Sequence, residues 1–254
     1  MTNQSSPIYR EPVQLNAQLH RHKRLKPLED HSLLGSINAV YLNVVEFAPA
    51  AQSFPIIFVP PTTAQPQVTP MAMLGLVAKQ NLFVEDGRWD ASYVPAFFRR
   101  LPYLTAPLPG TDQIGVYIDM QWPGLNDTDG EPLFTPEGEQ APALSQAIEF
   151  LKSFDEEAKR TSQICARLNE MELFTPMKAD VKLPDGETLT IEGFMIIDEA
   201  KLAELPDAKV LELHRSGALG VIHAHLVSLN QVNNLIQRQA RRAASSAPSA
   251  TATA

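Results

Sequence analysis

The chain has 254 residues, enough to bury a substantial core, and its 44% hydrophobic and 20% charged residues are typical of a soluble globular protein. Its formal net charge of -8 argues against general nucleic-acid binding, which requires a basic surface. The sequence shows no secretory signal pattern, no apolar run near the roughly 20 residues of a membrane span, and one cysteine, which excludes an internal disulfide. We therefore expect a cytoplasmic protein without a membrane span.

Residues 1–30 predict an extended N-terminal arm punctuated by prolines. The stretch from His20 to Lys26 is strongly basic. Such a run is more typical of a solvated arm that packs on an acidic body than of a phosphate-binding patch. We expect His20 and His22 to be exposed.

The part of the chain after the arm is rich in β-forming residues. Strands are predicted in the runs 37–47, 54–59, 71–77, 82–84 and 114–119. Between the last two runs, Asp90 or Ser92 is expected to cap a short helix that carries Pro95 near its first turn. The pattern predicts a mixed or antiparallel sheet in the N-terminal half.

The segment 123–142 is rich in proline, glycine and acidic residues, and we interpret it as a linker or long surface loop. After it, from Pro142 to about Glu172, apolar residues recur at about 100° per residue, which predicts a long amphipathic helix. On its polar face, Asp155 with Lys159 and Glu156 with Arg160 have the spacing of i,i+4 ion pairs.

The remaining chain predicts one β-hairpin and a helical C-terminal part. The runs 177–183 and 187–197 flank Pro184-Asp185-Gly186, a turn signal between strands. Three helices should follow: one capped by Asp198, one from Pro206 to Ser216, and one from Ala218 to Arg242. The sequence thus predicts an α+β fold with a single domain at 31–242, a possible sub-boundary at 123–142, and a disordered tail at 243–254.

Two histidines one residue apart, His223 and His225, suggest a metal site. On a helix, however, residues two apart diverge by about 160° around the axis. The apolar stripe of the predicted helix includes His225, which favours a core histidine over a ligand. Metal-dependent oxygenase-like chemistry through these two residues and His214 is therefore the weakest hypothesis, and we predict no metal site and no cofactor.

Cys165 lies on the apolar stripe of the long helix, where a thiol behaves as a small hydrophobic group rather than a nucleophile. The sequence contains no nucleophile-elbow, phosphate-loop or zinc-protease motif. The catalytic residues therefore stay unknown, and the leading hypothesis is a non-enzymatic protein.

The segment 89–100 combines aromatic and cationic residues and is the best candidate for a binding surface. Its candidate residues are Trp89, Asp90, Tyr93, Arg99 and Arg100. Arginines beside aromatic rings are suited to an anionic or aromatic ligand. The favoured interpretation is nevertheless a structural corner in which the guanidinium groups pair with Glu85, Asp86 or Asp90, because aromatic residues more often belong to a core than to a site. We expect one arginine to be structural and the other to contact a ligand.

The sequence resembles the SapC family of bacterial proteins from about Pro12 to Leu229. The matching pieces are Asn38-Ala39-Val40, Glu46-Phe47, Phe54-Pro55-Ile56, Leu74-Gly75-Leu76, 81–102, 170–177, 183–186, Gly193-Phe194, Asp198-Glu199, Lys201-Leu202 and 213–217. The chain departs from the family pattern at His223, where tyrosine is usual. The resemblance implies no catalytic residues, because the family has no defined activity, and its name implies a link with a surface-layer system.

Two functions compete. The leading hypothesis is a cytoplasmic accessory or interaction protein of the SapC family that supports a surface-layer or envelope system. The alternative is an enzyme that acts on a small anionic or aromatic substrate near the segment 89–100. We expect either a protein partner or a small anionic or aromatic ligand; a pocket where the candidate groups converge would favour a small molecule.

The helix phase at His223 and His225 generates a first prediction: the purified protein should carry no stoichiometric transition metal. Elemental analysis measures this directly. About one Fe, Zn or Cu per chain that disappears in His225→Ala would contradict it.

Overall fold

A computed structural model describes residues 8–182, 186 and 188–246. The strands in chain order are β1 (Pro12–Gln14), β2 (Arg24–Leu25), β3 (Ala39–Tyr41), β4 (Ile56–Val59), β5 (Thr69–Met73), β6 (Val84–Glu85), β7 (Arg88–Trp89), β8 (Tyr103–Pro107), β9 (Ile114–Asp119), β10 (Leu125–Asn126), β11 (Glu131–Pro132), β12 (Phe174–Lys182) and β13 (Thr188–Ile197). The helices are α1 (Ala17–His20), α2 (Phe47–Ala50), α3 (Ala96–Arg99), α4 (Pro142–Glu170), α5 (Glu199–Ala203), α6 (Asp207–Ser216), α7 (Ala218–Ser228) and α8 (Val232–Ser246). Antiparallel sheets and helices together confirm the α+β prediction.

The main sheet has five strands in the order β12-β13-β4-β5-β3, and its neighbours are antiparallel. The central strand β4 is apolar along its whole length because both faces of the sheet are covered there. The predicted hairpin forms as β12 and β13, and it joins the main sheet where Met195 lies opposite Phe58. The sheet therefore draws on both halves of the chain. Of the predicted turn 184–186, only Gly186 lies within the described residues.

The arm is tied to the body by pairing and by charge. Strand β1 pairs with β9, which itself pairs with β8, and β2 lies between β10 and β11. Lys23 forms an ion pair with Asp127 at 2.9 Å, and Lys26 forms one with Asp129. These contacts confirm that the basic stretch packs on acidic groups. The segment 123–142 supplies those groups and the short strands β10 and β11.

Helix α4 confirms the predicted amphipathic helix, and it touches two separate hydrophobic clusters. Its first half, with Leu144 and Leu151, packs in a cluster built on Tyr103 and Ile118 of β8 and β9. Its second half packs in the large cluster beneath the main sheet through residues that include Cys165. One helix thus joins two cores.

Several local predictions about the chain are wrong. His20 is buried rather than exposed, because α1 turns its ring back to within 2.9 Å of the Asn16 carbonyl oxygen. Helix α3 begins after Pro95, since Asp90 is bound to Arg238 and Ser92 lies against Ser53.

The polar face of α4 and the last helix also differ from prediction. Arg160 pairs with Glu157 instead of Glu156, and Asp155 accepts a hydrogen bond from Thr105. The last predicted helix is divided into α7 and α8 by a 3-10 turn at Leu229–Gln231. Helix α8 includes residues 243–246, which were expected in the tail, and residues 247–254 lie outside the described residues.

Leu151 lies on the buried stripe of α4 and Lys152 is exposed, so alanine substitutions at these adjacent positions should change stability by very different amounts. Leu151→Ala should lower the free energy of unfolding by about 2–5 kcal/mol, because it leaves a cavity in the hydrophobic cluster built on Tyr103 and Ile118. Lys152→Ala should cost within about 0.5 kcal/mol, since its ion pair with Glu149 is exposed to solvent. Denaturant unfolding curves with equal midpoints for the two variants would contradict this assignment.

Candidate functional site

A cavity of about 560 Å³ lies beside the end of α3, between the two hydrophobic clusters. Its walls come from the arm, from α3 and the start of β8, from the segment 122–133 and from α4. The lining residues are Leu25, Lys26, Pro27, Leu28, His31, Leu34, Val94, Phe98, Arg99, Arg100, Leu101, Pro102, Tyr103, Trp122, Glu131, Leu133, Ala143, Gln146, Ala147 and Phe150. The lining is apolar and aromatic apart from a small set of charged and polar groups.

Arg99, at the last position of α3, is exposed but held in place. Its Nε donates to the Val94 carbonyl oxygen at 3.1 Å, and its Nη2 donates to the Tyr93 hydroxyl at 3.2 Å. The guanidinium carbon also lies 5.2 Å from the centroid of the Phe150 ring. These contacts restrict a side chain that is usually mobile on a protein surface.

Arg100 is half-buried and lies against aromatic rings. Its guanidinium carbon is 4.1 Å from the Phe97 ring centroid and 4.7 Å from that of Phe154. Such contacts stabilise a cation without neutralising its charge. The Nε of Arg100 is a buried atom with no hydrogen-bond partner among the described residues.

Within the described part of the chain, neither Arg99 nor Arg100 forms an ion pair with a carboxylate. The expected pairing with Glu85, Asp86 or Asp90 is therefore not seen. Asp90 instead accepts from Arg238 of α8 at 2.7 Å, and the Arg238 guanidinium covers the Phe83 ring at 4.3 Å. Asp90, the acidic residue within the candidate segment, thus pairs with an arginine from a distant part of the chain.

The other candidate residues lie outside the cavity wall. Trp89 packs in the main core against Phe54 and Phe98, and its indole N–H donates to the Tyr93 carbonyl oxygen at 3.0 Å. Tyr93 lies behind Arg99 rather than in the cavity lining. The structure thus brings Arg99 and Arg100 to the cavity and leaves Trp89, Tyr93 and Asp90 in supporting positions.

The buried carboxylate of Glu46 lies behind this arrangement, although in the sequence Glu46 is notable only as part of the family resemblance. Glu46 is 3% exposed. It accepts hydrogen bonds from the backbone N–H of Asn43 at 2.9 Å, from the Tyr93 hydroxyl at 2.8 Å and from the backbone N–H of Ala96 at 2.6 Å. Burial and the adjacent Glu46 raise the pKa of Tyr93 to about 12, so its hydroxyl keeps its proton at neutral pH.

Three further polar residues of the lining come from distant parts of the chain. Lys26 lines the cavity while paired with Asp129, and the hydrogen bond to that carboxylate, together with its charge, raises the pKa of the lysine. His31 lies at the start of a 3-10 turn, and its Nδ1 is buried without a hydrogen-bond partner in the described part of the molecule. Glu131 supplies an acidic group. No short sequence motif links these positions.

The three histidines of the metal hypothesis are separated. His225 is fully buried, while His214 and His223 are exposed. The His225 Nε2 accepts from the Ile197 backbone N–H at 3.1 Å, and its ring lies 5.0 Å from that of Phe58. The described residues contain no group of three or more His, Cys, Asp or Glu placed to hold a metal ion. His225 is a core histidine, as its helix phase indicates.

The fold and this cavity define an α+β protein with a ligand-sized, arginine-edged cavity between two cores. The model of the SapC family matches residues 15–235, and the chain belongs to that family. No curated protein and no solved structure matches the chain. Among the described residues, no helix is both long enough and apolar enough to cross a bilayer.

The burial of His225 generates a pH prediction. Burial lowers its pKa from 6.5 to about 4, so the unfolded chain takes up a proton at a higher pH than the folded chain does. The contribution of the neutral, buried His225 to the free energy of unfolding is therefore complete above pH 6.5. It is lost as the pH drops towards 4, which lowers the free energy of unfolding by about 3 kcal/mol at most. Denaturant unfolding at a series of pH values should show a flatter dependence over this range for His225→Gln.

The exposed His223 supplies the matched control, and His223→Gln should keep the steep pH dependence of the unsubstituted protein. A His225→Gln variant whose stability varies with pH as steeply as that of the unsubstituted protein would assign the acid sensitivity to other groups.

Proposed function

We propose that this SapC-family protein is a non-enzymatic accessory protein that binds a small anionic ligand with an aromatic or apolar body. The ligand occupies the cavity beside Arg99 and Arg100. The observation that carries this proposal is a pair of adjacent arginines, without carboxylate partners among the described residues, at the edge of an otherwise apolar cavity.

Electrostatics favours an anion at this position. Two adjacent guanidinium groups repel each other, and aromatic rings do not cancel their charge. The chain as a whole carries a net charge of -8, so two neighbouring cations without acidic partners among the described residues are unusual in this protein. A ligand carboxylate, sulfonate or phosphate would supply the missing charge and gain about 1.5–3 kcal/mol for each charged hydrogen bond.

The remaining walls favour an apolar body. Small-molecule sites commonly enclose about 300–1,000 Å³, and this cavity holds about 560 Å³. Phe98, Tyr103, Trp122 and Phe150 line it, and these rings suit a planar or aromatic group. Among the residues that the structure describes, His31 Nδ1 and Arg100 Nε are buried without a hydrogen-bond partner, and both side chains belong to the cavity lining.

The proposed cellular role is suggested by the family name alone. The SapC name is linked with a surface-layer system, and we assign this protein a supporting function in the cytoplasm for such an envelope system. Cys165 is a free thiol buried in the core, and burial raises its pKa to about 12. An inert, reduced thiol is compatible with a reducing compartment.

An enzyme that acts on the same ligand is the second candidate. It is favoured by the presence of His31 and Glu131 in the cavity lining, since imidazole and carboxylate groups are the usual proton carriers in catalysis. Mass spectrometry of small molecules that copurify from the native cell separates the two candidates. A single retained compound supports the binding protein, and a substrate–product pair supports the enzyme.

Two fluorescent probes that differ in one charged group test the proposed site. Anilinonaphthalene sulfonate carries an anion on aromatic rings, and N-phenylnaphthylamine is its neutral counterpart. The protein should bind the sulfonate more tightly. Arg99→Gln should weaken sulfonate binding about tenfold or more, the loss of one charged hydrogen bond, and leave the neutral probe unchanged.

Arg88→Gln is the matched control, because Arg88 is an exposed arginine of the neighbouring strand β7 and does not line the cavity. It should change neither titration. Arg100→Gln should weaken sulfonate binding and also lower the melting temperature, since Arg100 packs between two phenylalanine rings. Equal affinity of the unsubstituted protein for both probes would refute the anion site.

A further inference from the structure

We infer that Tyr93 is a positioning residue that links the buried Glu46 carboxylate to Arg99 and so holds the Arg99 guanidinium in place for an anion. This inference rests on the proposed function of the cavity. It assigns Tyr93 a role behind the binding surface, in place of the direct ligand contact expected from the sequence.

The Tyr93 hydroxyl donates one hydrogen bond, to Glu46, and accepts another, from Arg99. The Tyr93 hydroxyl has a single proton, and a buried carboxylate is a stronger acceptor than any neutral group. At 2.8 Å from Glu46, the hydroxyl therefore donates to that carboxylate. Its oxygen lone pairs then face Arg99, whose Nη2 donates at 3.2 Å.

The second step is that Glu46 itself cannot reorient. It is 3% exposed, and two backbone N–H groups, from Asn43 and Ala96, donate to its oxygens. These two backbone donors therefore fix the orientation of the Glu46 carboxylate. Burial and Glu46 raise the pKa of Tyr93 to about 12, which keeps the hydroxyl proton in the bond at physiological pH.

The third step concerns Arg99. An exposed arginine loses substantial rotamer freedom when it binds an anion, and this loss weakens binding. Here the Tyr93 hydroxyl and the Val94 carbonyl oxygen hold two edges of the guanidinium before any ligand arrives. Nη1 of Arg99 makes no hydrogen bond within the described part of the chain, so it is free to donate to a ligand.

Tyr93→Phe tests this arrangement, because it keeps the ring and removes only the hydroxyl. Glu46 retains its two backbone donors, so the variant should fold. Affinity for anilinonaphthalene sulfonate should fall about three- to tenfold, the cost of ordering one long side chain on binding. Affinity for N-phenylnaphthylamine should not change. The control is Tyr117→Phe on β9, which removes a hydroxyl that lies 3.5 Å from the Pro107 carbonyl oxygen. This variant should bind both probes like the unsubstituted protein.

A double-mutant cycle separates positioning from a general structural role. If Tyr93 acts through Arg99, then Tyr93→Phe should have no further effect on sulfonate binding in an Arg99→Gln background. NMR relaxation of the Arg99 Nε–H group should also show an ordered side chain in the unsubstituted protein and an order parameter below about 0.6 in Tyr93→Phe.

The outcomes distinguish this inference from the proposed function. A protein with no preference for the sulfonate refutes both. A protein that prefers the sulfonate, with Tyr93→Phe binding as tightly as the unsubstituted chain, refutes only the positioning role. The same loss of affinity from Tyr93→Phe with and without Arg99→Gln also refutes it.

Discussion

The molecule depends on one continuous apolar stripe along α4. Leu144 and Leu151 of this helix belong to the cluster under β8 and β9, and Cys165 belongs to the cluster under the main sheet. Helix α4 therefore bridges the junction between the two clusters. The cavity lies at this junction, with Ala147 and Phe150 of α4 as part of its wall. The candidate site thus lies where the two cores are joined.

A second constraint is the placement of charge at that junction. The apolar walls leave few positions for polar groups, and Arg99 and Arg100 occupy positions where aromatic rings stabilise cations. Behind them, Glu46 supplies a buried negative charge that is satisfied by hydrogen bonds rather than by direct contact with a cation. A fully paired arginine would offer little to an external anion. An arginine held through a tyrosine hydroxyl keeps its charge available.

Elements whose signals are local could be predicted from the sequence. The stripe of α4, the strand at 114–119 and the cap at Asp198 were predicted because helix periodicity, alternation and capping involve neighbours in sequence. The core position of His225 followed in the same way. The cavity could not be predicted, because it gathers residues such as Lys26 and Trp122 that no spacing rule relates. The pairing of Asp90 was predicted wrongly for the same reason.

That pairing has a consequence for the order in which the structure is completed during synthesis. Arg238 lies 148 positions after Asp90, and it also donates to the Leu82 carbonyl oxygen. At a translation rate of about 5–20 residues per second, the segment would wait about 7–30 s on the ribosome for this partner. During that interval the Phe83 ring lacks the guanidinium that covers it in the folded protein. The contacts of Phe83 and Asp90 are therefore completed by a helix that leaves the ribosome much later.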